Sequence, residues 1–313
     1  MSTLDQIKEY GLSIWQGIIQ QSKRIILPFF DGLSLFDVSS FFFKGLFEGV
    51  ITTRAGSTSW SFFLAMFPAI IFIFNLIPYI PINGMNEEIF LILKEVLPPT
   101  TYELVSSTIE DILTHRRADL LSYTFIATIF FATNGTMSLI SNFNISFHQL
   151  ESRAFWQQYL VALGLTVVLG LLIIIGVAAV LFSTNFTEWM VAKEYLPERF
   201  TDLIQIGRYL ILMVVMFLAI SMIFYYGPSK KREWRLFSPG AIMATVLIIL
   251  SSFAFSFYVD NFSNYNRLYG SIGALLVIML WIYINSIGLI VGFELNASIA
   301  GAKKRRNRLD TLE

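Results

Sequence analysis

Polar side chains recur at helical spacing inside a stretch of the sequence, residues 120–150, that contains no Asp, Glu, Lys or Arg. Asn134, Ser138 and either Ser141 or Asn142 follow one another at intervals of three or four residues, which predicts that they share one face of a helix. If that helix lies in hydrocarbon, its polar groups must face protein or water. The face therefore either joins neighbouring helices through hydrogen bonds or lines a polar path.

Glu294 is the second group that could do chemistry, because it directly follows another uncharged stretch, residues 268–293. Ionisable groups at the border of a membrane span are candidates for proton transfer or substrate binding. The position of Glu294 is also close enough to the expected membrane surface for the carboxylate to be solvated. A structural ion pair with Arg54 or Arg153 is the alternative, and the sequence leaves both interpretations open.

The inventory of reactive residues argues against enzymatic chemistry. The chain has no Cys and only two His, so thiolate sites and histidine-rich metal centres are not expected. It contains no phosphate-binding loop, zinc-protease or serine-hydrolase motif. The formal net charge is zero, whereas nucleic-acid-binding proteins usually carry a basic surface. We therefore predict no catalytic residue, no metal, no cofactor and no nucleic-acid partner.

Six uncharged stretches determine the expected architecture. Each holds the roughly 20 residues that a helix needs to cross a hydrocarbon core about 30 Å thick. The chain is 55% hydrophobic and 14% charged, and its mean hydropathy is +0.65. We therefore predict an all-α, polytopic membrane protein with six transmembrane helices and the lipid bilayer as its partner. The stretches are residues 55–86, 120–150, 154–187, 209–229, 236–259 and 268–293.

The sequence outside these stretches defines the expected domain organisation. Residues 1–54 are predicted to form an amphipathic helical arm at the membrane interface, because apolar residues recur in it near helical spacing. Residues 55–299 contain the six spans, and residues 300–313 form a basic tail. Within the membrane domain, residues 85–117 are predicted to form a helical hairpin outside the cytoplasm, between the first and second spans.

Two features of the sequence concern the start of the helix before the first span and the regularity of the span itself. Asp37 or Ser39 is expected to cap the helix that leads into it, since both residue types accept hydrogen bonds from free backbone N–H groups. Pro68 lies inside the span and removes one backbone hydrogen bond. It therefore marks either a break that lines a cavity or a plain packing kink.

The distribution of basic residues predicts the orientation. With six spans, fifteen of the 22 Lys and Arg residues lie on the side that holds both termini, and seven lie on the other side. Basic residues are enriched in cytoplasmic loops of membrane proteins. Both termini are therefore predicted to be cytoplasmic.

Several short motifs resemble one known family. The main ones are YNRLYGSIGA at residues 265–274, WIY at 281–283 and GFELNA at 292–297, with further agreement at 54–55, 67–68, 134–135, 142–144 and 238–241. Together they resemble the YihY/BrkB family of bacterial inner-membrane proteins, over roughly residues 41–299. The resemblance implies six spans, cytoplasmic termini and a location in the bacterial inner membrane.

The resemblance implies little about molecular activity. The family long carried the label of a ribonuclease BN, which is now regarded as mistaken, and its members have been linked to serum resistance and envelope lipid export. It supplies no accepted catalytic residues.

Two functions fit these observations, and the first is a transporter or flippase for a lipid or small solute. The second is a non-transporting envelope scaffold whose polar residues only pack the bundle. An intramembrane hydrolase or ribonuclease is disfavoured, since no nucleophile and base are paired. The residues expected to line a polar cavity are Arg54, Pro68, Asn75, Asn134, Asn142, Asn144, Asn285, Glu294 and Asn296.

Overall fold

The structure is a computed structural model of the full chain, and its described part is entirely helical apart from turns and one isolated bridge between Ile26 and Ser34. The first half of the predicted arm and nearly all of the predicted hairpin lie outside the described residues. The residues that the structure describes are 17, 20–26, 30–48, 50–79, 106, 110–111, 116–146, 153–193, 195, 197, 201–229, 237–261 and 271–311.

Six long apolar helices follow a shorter helix, α1 (Leu35–Glu48). Each of the six is long and apolar enough to cross a membrane, which confirms the number of spans predicted from the sequence. They are α2 (Ile51–Leu76), α3 (Ala118–Ser146), α4 (Phe155–Ala192), α5 (Thr201–Tyr226), α6 (Pro239–Asn261) and α7 (Ser271–Asp310).

The six spans form a closed ring. Each packs against the next in sequence, and α7 packs against α2 to complete the ring, with a smaller contact between α7 and α3. Successive spans run in opposite directions, so the start of α2 lies beside the end of α3, where Arg54 contacts Ser146. We call this end of the bundle the proximal end, and the end near Tyr79 the distal end.

Helix α1 packs across the last helix at the proximal end. A hydrophobic cluster joins Phe30, Leu33 and Val38 to Ile299 and Ala302. Polar contacts extend the junction, because Lys303 Nζ lies 3.1 Å from Asp31 Oδ2 and Arg306 donates to the carbonyl of Gly32 at 3.1 Å. The arm and the tail are therefore joined, and α7 continues as a helix through the predicted boundary at residue 300.

The structure corrects two expectations about the path into the first span. Ser34, not Asp37 or Ser39, caps α1: its hydroxyl accepts the backbone N–H of Asp37 at 3.1 Å and donates to the Asp37 carboxylate at 2.7 Å. The first span also begins four residues before the predicted window, at Ile51 after Val50 in the left-handed region (φ 44°). Arg54 is therefore part of the spanning helix.

The two halves of the ring are packed differently. Near the proximal end, buried apolar residues from α2, α3, α5, α6 and α7 form one continuous core. In the distal half of α5, by contrast, all six residues from Tyr209 to Val214 are at least 39% exposed. Six consecutive residues occupy more than one helical turn, so this part of α5 is partly exposed on every side, although Leu212 lies close to Gly176 of α4. The ring is closed at the proximal end and loosely packed in the distal half of this helix.

Candidate functional site

A buried guanidinium stands at the centre of the proximal end. Arg54 lies in the first turn of α2 and is 4% exposed. Its Nη2 donates to the carbonyl oxygen of Asn142 at 2.6 Å and to the hydroxyl of Ser146, both on α3. A buried charge is tolerated only when it is paired and hydrogen-bonded, so these contacts, together with a carboxylate, hold Arg54 in the bundle.

That carboxylate is Glu294 of α7. Its Oε2 lies 3.4 Å from Arg54 Nη1, and both side chains are 5% exposed. The structure thus selects the ion pair with Arg54 over the one with Arg153, which instead donates to the carbonyl of Gly227 at 2.7 Å. The expectation that Glu294 is solvated is wrong, because α1 covers the carboxylate: a Cβ placed on Gly45 would meet Glu294 Oε1 at 2.1 Å.

Asn142 connects the first two spans beside this pair. Its Nδ2 lies within 3.1 Å of three oxygens of α2, namely the Arg54 carbonyl and the hydroxyls of Ser57 and Thr58. Asn142 is buried, whereas the adjacent Ser141 is exposed. Of the two candidates for the predicted polar face, Asn142 therefore faces the bundle, and it acts as the hydrogen-bonding link between helices.

An aromatic plug lies directly beside the ion pair. Phe143, Phe224 and Phe293 contact one another, with ring centroids 4.1 to 5.3 Å apart. They come from α3, α5 and α7, which are alternate members of the six-helix ring. Contacts between alternate members cross the centre of a ring, so the three rings fill its axis. Because Phe143 follows Asn142 and Phe293 precedes Glu294, the plug and the ion pair share the same turns of α3 and α7.

Two further predicted site residues hold helix ends and turns. The carbonyl oxygen of the Asn296 side chain accepts the backbone N–H of Gly240 at 2.9 Å, and its amide donates to Ser238 Oγ at 3.0 Å. Asn296 therefore caps α6, which begins at Pro239. Asn144 accepts the backbone N–H of Ser229 at 3.1 Å and so fixes the turn after α5.

The sequence reasoning did not find the close approach of α6 and α7. A Cβ placed on Gly292 would lie 2.6 Å from the carbonyl oxygen of Gly240 and 2.6 Å from the Cβ of Ala244. Backbones approach this closely in membranes where small residues face each other. Gly288 and Gly292 are four residues apart, as are Gly240 and Ala244, so the small-residue spacing was a usable signal.

The structure does not bring the remaining predicted residues to the ion pair. Asn134 is partly exposed and lies on the opposite side of α3 from Phe143, because nine residues make two and a half turns. Pro68 lies inside α2, which continues through it to Leu76. Asn75 and Asn285 each donate to the carbonyl four residues earlier in their own helix.

Three buried oxygens have no hydrogen-bond partner in the described part of the structure. They are Asn75 Oδ1, Thr133 Oγ1 and Asn285 Oδ1. Thr133 and Asn75 are 0% and 1% exposed, respectively. Buried polar atoms without partners are costly and uncommon. All three lie on the distal side of the plug, and Thr133 was not among the predicted site residues.

Among the described residues, no three His, Cys, Asp or Glu side chains are grouped so that they could hold a metal ion. What the proximal end provides is one buried cation, one buried carboxylate and an apolar plug between three helices.

Comparison with known proteins gives consistent matches over most of the chain. A ribonuclease-like protein, YfkH of Bacillus subtilis, is 29% identical over 254 residues, which cover 80% of this chain and 91% of that protein. UPF0761 membrane proteins of Xanthomonas campestris and Xanthomonas oryzae are 34% identical over 88 residues, about a fifth of their own length. No solved structure matches the chain. A family model described as virulence factor BrkB matches residues 42–311, and the chain therefore belongs to the BrkB family of membrane proteins.

Proposed function

We propose that this protein is a transporter or flippase that moves a lipid or small solute across the bacterial inner membrane, with both termini in the cytoplasm. The observation that carries the proposal is the difference between the two halves of the bundle. Phe143, Phe224 and Phe293 block the axis near the proximal end, whereas the distal half of α5 is uncovered. A transporter that alternates between two open states needs one blocked end and one accessible end at a time.

The composition of the uncovered surface favours a lipid over a small polar solute. The residues from Tyr209 to Val214 are apolar except for the tyrosine hydroxyl, and large side chains of α6 such as Phe253 and Phe257 are more than 70% exposed. Such surfaces accept acyl chains. Towards the plug, Thr133 and Asn285 carry oxygens that have no partner in the described structure, and these are suited to a polar head group.

Locking the aromatic plug is the direct test. In liposomes, Phe143→Cys/Phe293→Cys would be joined by a short thiol cross-linker, which is selective because the chain has no Cys of its own. The readouts are scrambling of a fluorescent phospholipid and a panel of solute fluxes. We expect transport by the double variant to stop on cross-linking and to recover when a cleavable linker is reduced. Each single-Cys variant, treated identically, is the control.

The scaffold alternative is supported by a separate observation. Asn142, Asn144 and Asn296 are satisfied by hydrogen bonds to neighbouring elements, as expected of residues that only pack the bundle. A scaffold would transport nothing, and cross-linking the plug would leave its cellular phenotype unchanged. Undiminished transport after complete cross-linking would contradict the proposed mechanism.

The word ribonuclease in the name of YfkH is not extended to this chain.

A further inference from the structure

We propose that Arg208 of α5 and Ser183 of α4 form a head-group site for an anionic phospholipid at the distal end of the bundle. The inference rests on the proposed function, because it names the class of lipid that enters along the uncovered part of α5. It starts from one contact: Arg208 Nε donates to Ser183 Oγ at 3.2 Å. Both side chains are only partly exposed, so this hydrogen bond holds the guanidinium against α4.

The guanidinium of Arg208 lacks a counter-charge. Among the side chains that the structure describes, Ser183 is its only hydrogen-bonding partner, and no carboxylate is paired with it. Arg54 and Arg117, by contrast, are both paired with carboxylates, although Arg117 is the more exposed residue. A partly buried positive charge at the border of a membrane span is costly without an anionic partner. The site therefore favours a ligand that carries negative charge.

The groups left over at this site are hydrogen-bond donors. A guanidinium has five N–H donors, and only the Nε–H of Arg208 has an acceptor in the described structure. The hydroxyl hydrogen of Ser183 likewise has no acceptor there. Phosphate oxygens only accept hydrogen bonds, and they can pair with arginine in a bidentate manner. An ammonium-bearing head group would add a second positive charge beside Arg208, so a net-negative head group such as that of phosphatidylglycerol fits better.

The site lies at the depth where lipid head groups are expected. Arg208 is near the distal end of the span Ile204–Tyr226. Beside Ser183, three aromatic rings stack along α4, with centroids 5.8 and 6.2 Å apart. They belong to Phe182, Phe186 and Trp189, which are between 50% and 71% exposed. Exposed aromatic side chains gather at the boundary between hydrocarbon and head groups, and this places Arg208 and Ser183 at that boundary.

The apolar surface next to Arg208 suits the rest of the lipid. The exposed residues from Tyr209 to Val214 follow Arg208 directly and extend about 9 Å along α5 towards the plug, at 1.5 Å per residue. An acyl chain that lies along this stretch has its head group at the distal end, beside Arg208. The lipid thus meets a cation and then an apolar surface in the order in which its own parts are connected.

The test uses a phosphatidylglycerol with a photoactivatable group in its acyl chain, titrated into the purified protein in neutral detergent. Peptide mass spectrometry measures the labelling of residues 209–214, so lipid bound at the basic residues 303–308 is not counted. We expect Arg208→Gln to weaken this binding by about 10- to 100-fold, the range for a hydrogen bond to a charged group. Arg208→Lys keeps the charge and should retain most of the binding. A phosphatidylethanolamine probe with the same acyl chains should bind more weakly to the parent.

The matched control makes the same substitution at an arginine whose charge is already balanced. Arg117→Gln, also at the distal end, removes a residue paired with Asp111 and should leave the labelling unchanged. The inference is overturned if Arg208→Gln is labelled like the parent, if Arg117→Gln weakens labelling as much, or if both lipid probes label the parent equally. Displacement of the probe by soluble glycerol 3-phosphate would also overturn it, because the site would then take a free phosphate compound rather than a lipid.

This result is separable from the test of the proposed function, since binding in detergent requires no transport. In liposomes, the parent should move fluorescent phosphatidylglycerol faster than fluorescent phosphatidylethanolamine, and Arg208→Gln should lose that preference. Transport of both lipids at equal rates would overturn the head-group site and leave the transporter standing. Specific labelling at residues 209–214 that depends on Arg208, with no transport of any lipid or solute, would contradict the transporter alone.

Discussion

At the scale of single residues, the contact between Arg54 and Glu294 determines how the proximal end responds to mutation. Both side chains are buried, so removing either one leaves an uncompensated charge in a poorly solvated site. We expect Arg54→Met or Glu294→Met alone to reduce the free energy of unfolding by about 3–5 kcal/mol. The double variant Arg54→Met/Glu294→Met should recover most of that loss, because no charge remains buried. Unfolding in detergent with increasing denaturant measures the complete cycle.

An exposed ion pair provides the control for this cycle. Arg117 and Asp111 are also paired, but both side chains are 46% exposed. Water screens such pairs, and Arg117→Met should change stability by less than about 1 kcal/mol. A double variant that is no more stable than the worse single variant would contradict the view that the buried pair costs as much in desolvation as it gains from attraction.

Single residues also mark the limit of prediction from sequence. The pairing of Glu294 with a basic residue was predictable, because buried carboxylates need a cation, but Arg54 and Arg153 could not be distinguished. Spacing likewise left Ser141 and Asn142 open. Adjacent residues differ by about 100° around a helix, and the packing of α2 decides which of them is buried.

At the scale of helices, the contact between α6 and α7 is the most sensitive to added volume. Gly292→Ala would place a methyl group 2.6 Å from the carbonyl oxygen of Gly240, so the two backbones must move apart. We expect a loss of about 1–3 kcal/mol in unfolding free energy, which is typical of overpacking. Gly164→Ala in α4 is the matched control, since its methyl group would meet nothing within 4 Å. It should be neutral or stabilising by up to about 1 kcal/mol.

The outcome can be read by thermal unfolding of the two variants under identical conditions. Equal stability of Gly292→Ala and Gly164→Ala would contradict the close packing of α6 on α7. A larger loss for Gly292→Ala is the expected result. Asn296 also joins the proximal ends of the two helices, through its hydrogen bond with Gly240.

Helix number and position were predictable because hydropathy is summed over about 20 residues, which tolerates errors at single positions. Helix ends were less predictable. The uncharged window stops at Phe293, yet α7 continues to Asp310, since its Ala, Lys and Arg residues are good helix formers and α1 packs against it. The cap at Ser34 was missed because the turn formed by residues 30–33 is held by α7, a contact between parts of the chain distant in sequence.

At the scale of the whole molecule, orientation decides which side of the membrane the plug blocks. The excess of Lys and Arg predicts that the proximal end is cytoplasmic. Asp119 at the distal start of α3 and Asn307 near the end of α7 are both exposed, and the chain has no Cys. We expect a membrane-impermeant maleimide to label Asp119→Cys in intact cells and to label Asn307→Cys only after the inner membrane is permeabilised. The unmodified chain is the labelling control.

The same measurement determines which membrane surface lies nearest to the buried ion pair. If Asn307→Cys is protected in intact cells, Arg54, Glu294 and the aromatic plug lie near the cytoplasmic surface, and the uncovered part of α5 lies towards the outer side. Labelling of Asn307→Cys in intact cells, with protection of Asp119→Cys, would reverse the orientation. The plug would then block the outer side, and the uncovered part of α5 would lie towards the cytoplasm.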